Sequence, residues 1–248
     1  MAENGSNKSI KTFWMLYFGS VAFVLLLFII ISIGGFGFMP SFEELENPKS
    51  SLASEIYSAD QVQIGKYYIE NRTNANYNEL SPNLIHALIA TEDSRFENHS
   101  GIDFRSVFRV LFKNILGGNR SSGGGSTISQ QLAKNLFPRE ENPSIFKMVI
   151  IKLKEWVTAI KLERNYTKEE IIAMYLNTVD FGSQSFGIKS AAKTYFNKTP
   201  DKLNIEESAL LIGLLQAPSK FSPKSHKDRA MKRREVVLFQ MKKYNYLT

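Results

Sequence analysis

The chain has 248 residues, 43% hydrophobic and 22% charged, with no cysteine and a formal net charge of +7. That apolar fraction supports a packed core and excludes a disordered chain, while the lack of thiolates excludes disulfide-built scaffolds and cysteine metal sites. His86, His99 and His226 are the only histidines, which argues against a multi-histidine metal centre, and the positive charge leaves nucleic acid, an anionic membrane or an anionic substrate as partners.

The apolar residues are unevenly spread. Thr12 to Phe42 carries no charge, and Phe13 to Ile33 is almost continuously apolar, enough helix to cross roughly 30 Å of hydrocarbon. Trp14 and Tyr17 lie near one end, where amphipathic rings favour the interface. Lys8 and Lys11 precede the span and Glu43, Glu44 and Glu46 follow it, so the positive-inside rule places the N-terminus in the cytoplasm. A cleaved signal peptide is the rival reading, but its apolar region runs about 7–15 residues before a small-residue cleavage site, and no Ala-x-Ala follows here. The expected plan is a cytoplasmic tail over 1–11, an anchor over 12–38, a connector and hairpin over 39–74, and a domain over 75–248 on the far side of the membrane. Beyond the anchor, 29 Lys and Arg face 23 Asp and Glu. With the chain at a bilayer, nucleic acid becomes the least favoured partner.

Pro40 to Ser51 reads as a polar connector, and Ser54–Ser58 with Val62–Glu70 reads as a β-hairpin turning near Asp60. From Ser81 onward the signals are helical. Ser81-Pro82 opens a helix over 83–91, followed by helices over 104–116, 127–137 and 145–163. Val149, Leu153, Trp156 and Ile160 are spaced to form the buried face of the longest one. Capping boxes at Thr167–Glu170 and Asn204–Glu207 start helices reaching Asn177 and Gln216. A basic helix over 226–243, loaded with Lys227, Arg229, Lys232, Arg233, Arg234, Lys242 and Lys243, reads as a solvated surface. The fold class expected is mainly α.

Four constellations bear on chemistry. Glu92-Asp93, at the end of an apolar helix and near His99 and Gly101, suits a carboxylate at the rim of a cleft acting as general base; the plain alternative is an ordinary charged helix end. Gly123-Gly124-Gly125-Ser126-Thr127 leads into Ser129-Gln130-Gln131-Leu132-Ala133-Lys134-Asn135. Glycines before a helix N-terminus free backbone N–H groups for an anion, and the glutamines suit sugar hydroxyls. No Gly-Lys-Ser/Thr follows, so it is not a nucleotide P-loop, and a flexible linker is the plain alternative. Lys147, Lys152, Lys154 and Glu155 share neighbouring turns of the long helix, with Ile151 between Lys147 and Glu155, an arrangement that also fits a solvated face. Phe104, Val107, Phe108, Val110, Leu111, Phe112, Ile115 and Leu116 cover more than one helix face and must pack on both sides or touch lipid, with Arg109 and Lys113 placed to meet phosphates.

Together these residues resemble the peptidoglycan glycosyltransferase family 51, found in bifunctional class A penicillin-binding proteins and in monofunctional glycosyltransferases. Glu92-Asp93-x-x-Phe96-x-x-His99-x-Gly101-x-Asp103 is similar to its first motif, and Gly124 to Asn135 to its second, with Ser129 where threonine is commoner. Lys152-x-x-Glu155, Lys168 to Asn177, and Glu207 to Pro218 are similar to the third, fourth and fifth, in the family's order. The resemblance implies a lysozyme-like α-helical fold that polymerises lipid II into β-1,4-linked glycan with release of undecaprenyl diphosphate. It implies Glu92 as general base and Glu155 as a second functional glutamate. It assigns substrate contacts to Asp93, Phe96, His99, Arg109, Ser126, Thr127, Gln130, Gln131, Lys134, Asn135, Lys147 and Lys152, with Phe96 and His99 shaping the loop around Glu92.

No cofactor is required by the sequence, and a divalent cation such as Mg2+ is compatible with Glu155. Expected partners are lipid II, the lipid-linked glycan, the membrane, other cell-wall synthesis proteins and a transpeptidase domain; the location implied is the bacterial plasma membrane. One departure stands out. Ile151 occupies the place of the third motif's usual arginine, and an apolar residue cannot neutralise diphosphate. A membrane-anchored lytic enzyme and a non-catalytic lipid II-binding protein are the competing readings.

Overall fold

The computed structural model describes residues 3–37, 39, 54–57, 63–67, 74–117, 124–136 and 143–247. Helix α1 (Glu3–Ser32) carries an apolar stretch, Ile10–Ser32, of 23 residues, long and apolar enough to cross a membrane and almost wholly exposed. Strand β1 (Ser54–Tyr57) pairs antiparallel with β2 (Gln63–Tyr67), Ser54 opposite Tyr67. The connector over 40–51 and the turn near Asp60 lie outside the described residues.

The remaining elements are helices: α2 (Pro82–Glu92), α3 (Phe104–Gly117), α4 (Ile128–Leu136), α5 (Ile145–Asn165), α6 (Lys168–Thr178), α7 (Ile188–Phe196), α8 (Ile205–Leu214) and α9 (Lys227–Lys243). Helix α2 begins with Pro82, whose missing N–H costs nothing in the first turn. Ser81 sits at its N-cap, but its hydroxyl donates to the Leu203 carbonyl at 2.9 Å instead of capping. Both expected capping boxes form, Thr167 with Glu170 and Asn204 with Glu207, each satisfying two end N–H groups. Helix α7 was not among the predicted helices; Gly187, at φ 77°, admits the chain and Asn197, left-handed at φ 55°, ends it.

The core gathers around α2, whose Leu84, Ala87, Leu88 and Ala90 are buried. Helix α8 packs on α2, and α9 packs on both; α4 packs against α5 and α6. Asn177 accepts the Ala75 N–H and donates to the Ala75 carbonyl, both at 2.9 Å, tying the start of the domain to α6.

Two expectations about helix faces are corrected. On α5, Val149 is exposed and Leu153, Trp156 and Ile160 are half-buried; the buried set is Ile150, Glu155, Val157, Thr158, Ala159 and Leu162. The reason is that α5 is covered on two sides, by α4 and by α1, whose Ser32 carbonyl accepts from Lys161 at 3.3 Å. The basic helix α9 is not a wholly solvated surface either, because Ala230, Val237 and Met241 bury one side of it against α8 and α2.

Candidate active site

Helix α2 runs out of the core and ends at Glu92, so the next residues turn sharply with their side chains at a groove rim. Asp93 turns inward and is 7% exposed. Its Oδ2 lies 2.9 Å from His99 Nε2 and accepts the Ile128 N–H at 3.1 Å. Ile128 is the first residue of α4, so this carboxylate meets the positive end of a helix dipole and locks the first and second motifs together. His99 also lies 4.0 Å from Glu163, which is paired with Lys168 at 2.7 Å and accepts from Ser129.

The loop between α2 and α3 is strapped down from below. Asp103 is bonded to Arg95 and Ser106. Burial pushes its carboxyl up, but the Ser106 and Arg95 bonds outweigh that and hold it below the usual carboxylate range. The Gly101 carbonyl accepts from Thr127 Oγ1 at 2.7 Å and Gln130 Nε2 at 3.3 Å, fastening this loop to the glycine motif.

Glu92 itself stands between two cavities. The larger, about 860 Å³, is lined by Gln130, Gln131, Lys134, Asn135, Ile151, Lys152 and Glu155, and by Tyr175, Asp180, Gln216, Pro218 and Arg233 from later helices and loops. The smaller, about 260 Å³, is lined by Asp103, Ser106, Arg109, Lys243 and Tyr244. Thr91, Glu92, Gly124, Ser126 and Gln240 belong to both and form the shared wall. Lys152 Nζ lies 2.7 Å from Glu155 and 3.0 Å from Ser126 Oγ, joining the third motif to the second. Glu92 Oε2 accepts from Gln131 Nε2 at 2.8 Å.

The structure therefore brings Glu92, Glu155, Ser126, Gln130, Gln131, Lys134, Asn135 and Lys152 to one groove, and Arg109 to the adjoining cavity. It places other expected contacts elsewhere. Phe96 is fully buried in the core, with Lys168 Nζ 4.2 Å from its ring centre, and the His99 side chain is turned inward. Asp93 and Thr127 do line the smaller cavity, although their polar atoms are engaged in internal bonds. Lys147 is exposed near the start of α5 and does not line either cavity. Among the described residues no group of three or more His, Asp or Glu side chains converges as a metal site. Glu155, the carboxylate offered to a divalent cation, is instead buried beside Lys152.

Sequence reading passed over Arg233, Gln240, Tyr244 and Tyr175. Arg233 sits on α9 with its stem against Gly213 of α8, where an added Cβ would come within 3.2 Å. Arg233 and Glu92 both line the larger cavity; burial lowers the guanidinium pKa and the Glu92 charge opposes that. Tyr244 is held below its ordinary value by a bond with Ser94 and by the cations Lys243 and Arg109, while burial opposes them. Only Arg233-Arg234 within an amphipathic run could have signalled this.

A protein-family profile described as Transglycosylase matches residues 60–242, which contains the whole lining of the larger cavity and all of the smaller one's but Lys243 and Tyr244. The chain belongs to the transglycosylase family. Among curated relatives, this transglycosylase is 39% identical over 210 residues to Penicillin-binding protein 1A of Escherichia coli, covering 85% of this chain and 24% of the relative. It is also 39% identical over 196 residues to Penicillin-binding protein 1F of Bacillus subtilis, covering 79% and 27%. The chain thus spans about a quarter of the length of these relatives. The crystal structure of Penicillin-Binding Protein 1A from Haemophilus influenzae aligns with a TM-score of 0.44 at 23% identity, covering 81% of this chain and 19% of that one.

Proposed function

We propose that this chain is a peptidoglycan glycosyltransferase that joins lipid II units into β-1,4-linked glycan and releases undecaprenyl diphosphate. The observation that carries the reading is Glu92, standing in the wall shared by two cavities whose cations lie on either side of it. In the proposed reaction Glu92 takes the proton of the acceptor sugar's 4-hydroxyl as that oxygen attacks the donor's anomeric carbon, with inversion. The diphosphate leaves with the electron pair of the broken bond. Lys134 and Lys152 on the groove wall stabilise its charge, an electrostatic task that preorganised cations perform better than water. Glu155 holds the Lys152 ammonium in place. Asn135 contacts the sugars.

Membrane contact fits the same reading. Phe104, Phe108 and Phe112 form an i, i+4, i+8 stripe on α3, each more than half exposed, and Phe146, Met148 and Val149 are also more than half exposed at the start of α5. A substrate with a polyprenyl tail needs such surfaces near the bilayer. The anchor α1 packs on α5, and Lys8 and Lys11 before the span orient the N-terminus to the cytoplasm and the domain to the outer side.

The experiment is polymerisation of purified lipid II by the detergent-solubilised chain and its Glu92→Gln variant. The variant should lose at least about 100-fold in kcat while its thermal unfolding matches the parent's. Retention of full activity by Glu92→Gln removes the residue from its role, and release of fragments from lipid-free cell wall would point to a hydrolase instead.

A further inference from the structure

Glu92 lies at the end of its helix beside open space, where a carboxylate ordinarily samples several orientations. Here a two-bond relay from the core restrains it. Tyr175 OH donates to Gln131 Oε1 at 2.9 Å, and Gln131 Nε2 donates to Glu92 Oε2 at 2.8 Å. We propose that Tyr175 and Gln131 are a positioning pair for the Glu92 base. The phenol anchors the Gln131 carbonyl oxygen in place, and the amide N–H holds Oε2 so that Oε1 is left to receive the acceptor's proton. This rests on the reading of Glu92 as general base.

The chemistry of the three groups supports the direction of the relay. An amide has one end that accepts and one that donates, and a flipped Gln131 would set its carbonyl oxygen against the carboxylate. The ionised carboxylate can only accept, so it requires the Nε2 end on its own side, and the Tyr175 hydroxyl satisfies the carbonyl left at the far end. Tyr175 is 2% exposed on α6, packed against α4, so water does not compete for the bond. Burial and the Glu92 charge push its phenol well above the ordinary value, so the hydroxyl keeps its proton. The amide is also neutral. A cation in its place would form an ion pair and hold the carboxylate's electrons more tightly, whereas an amide orients without neutralising. Arg233 on α9 lines the same cavity as Glu92, and the Asp93 carboxylate is bonded to His99 and α4. Gln131 was expected to bind sugar, yet its carbonyl and one N–H are already taken by protein groups.

The test is a four-protein cycle in the lipid II assay: the parent chain, Tyr175→Phe, Gln131→Leu and the double variant. Tyr175→Phe keeps the buried ring and should lower kcat about 10-fold with KM within about twofold. Gln131→Leu should lower kcat about 10–100-fold, and the double variant should be no slower than Gln131→Leu, because Tyr175 acts through the amide. If Tyr175→Phe matches the parent, or if the two losses multiply, the proposal is overturned. Gln131→Met tests the same point at a half-buried position, should the core variant fail to fold. A loss in its kcat supports the pair, and a loss confined to KM overturns it by marking Gln131 as a sugar contact. A parent chain that does not polymerise lipid II in the same assay would instead remove the glycosyltransferase reading itself.

Discussion

Gly101 is where the loop carrying the first motif comes closest to α5, and its replacement by alanine is a sharp test of the packing. Its φ is +95°, a left-handed conformation that side chains rarely adopt. An added Cβ would lie 2.8 Å from the carbonyl carbon and oxygen of Ala159 and 2.9 Å from the nitrogen of Ile160. These are backbone atoms inside a helix, so they cannot swing aside as a flexible side chain would. Conformational strain of about 1–3 kcal/mol adds to about 1–3 kcal/mol of overpacking, giving a loss of roughly 2–6 kcal/mol. Against a typical domain stability of about 5–15 kcal/mol, that is a large fraction. Even the lower bound lowers the melting temperature by roughly 4–8 °C in a domain of this size. The relief available to the chain is to lift the loop, and lifting it pulls the Gly101 carbonyl away from Thr127 and Gln130. Activity should therefore fall together with stability. The assay is thermal unfolding in detergent followed by circular dichroism at 222 nm, alongside lipid II turnover. A melting temperature within about 1 °C of the parent's, with activity intact, would refute the argument.

Arg233→Met keeps an aliphatic stem to rest on Gly213 and removes a charge from the cavity that Glu92 also lines. We expect kcat/KM for lipid II to fall about tenfold, equivalent to about 1.4 kcal/mol, with little change in melting temperature; an unchanged kcat/KM returns α9 to a purely structural role. Asp103 supplies a pH test. Its folded-state pKa lies below the ordinary 3.8, so the stabilisation is fully present above that value and is lost as pH falls through the folded-state value. Denaturant titrations of the parent and Asp103→Asn should differ by a constant amount between about pH 5 and 7 and converge below about pH 4. A gap that persists undiminished to pH 2 contradicts the assignment.

Helix positions were largely legible in the sequence because they depend on local rules. Pro82 at a first turn, the paired caps at Thr167 and Asn204, and the glycines before Ile128 each act within a few residues, and each marks a helix start in the structure. The motif glutamate at position 92 was readable for a similar reason, since it lies where an apolar run ends. Side-chain roles within the motifs were less readable. Phe96 and His99 lie close to Glu92 in the chain, yet their side chains turn into the protein, while Asp93 and Thr127 line the smaller cavity but use their polar atoms in internal bonds. Apolar periodicity on α5 also misled, since it does not say whether the partner is α4, α1 or lipid.

The sequence by itself determined the apolar span, the helical class and the residues from which a groove can be made. These follow from composition, period and capping, all of which act over short distances. The tertiary structure decided which of those residues meet. It set α9 across α8 and α2 so that an arginine more than a hundred residues from Glu92 lines the same cavity, and it aligned α4 with α6 so that Tyr175 meets Gln131. Such juxtapositions depend on the crossing of packed helices and on how closely Gly213 lets them approach, and no local pattern in the chain encodes them.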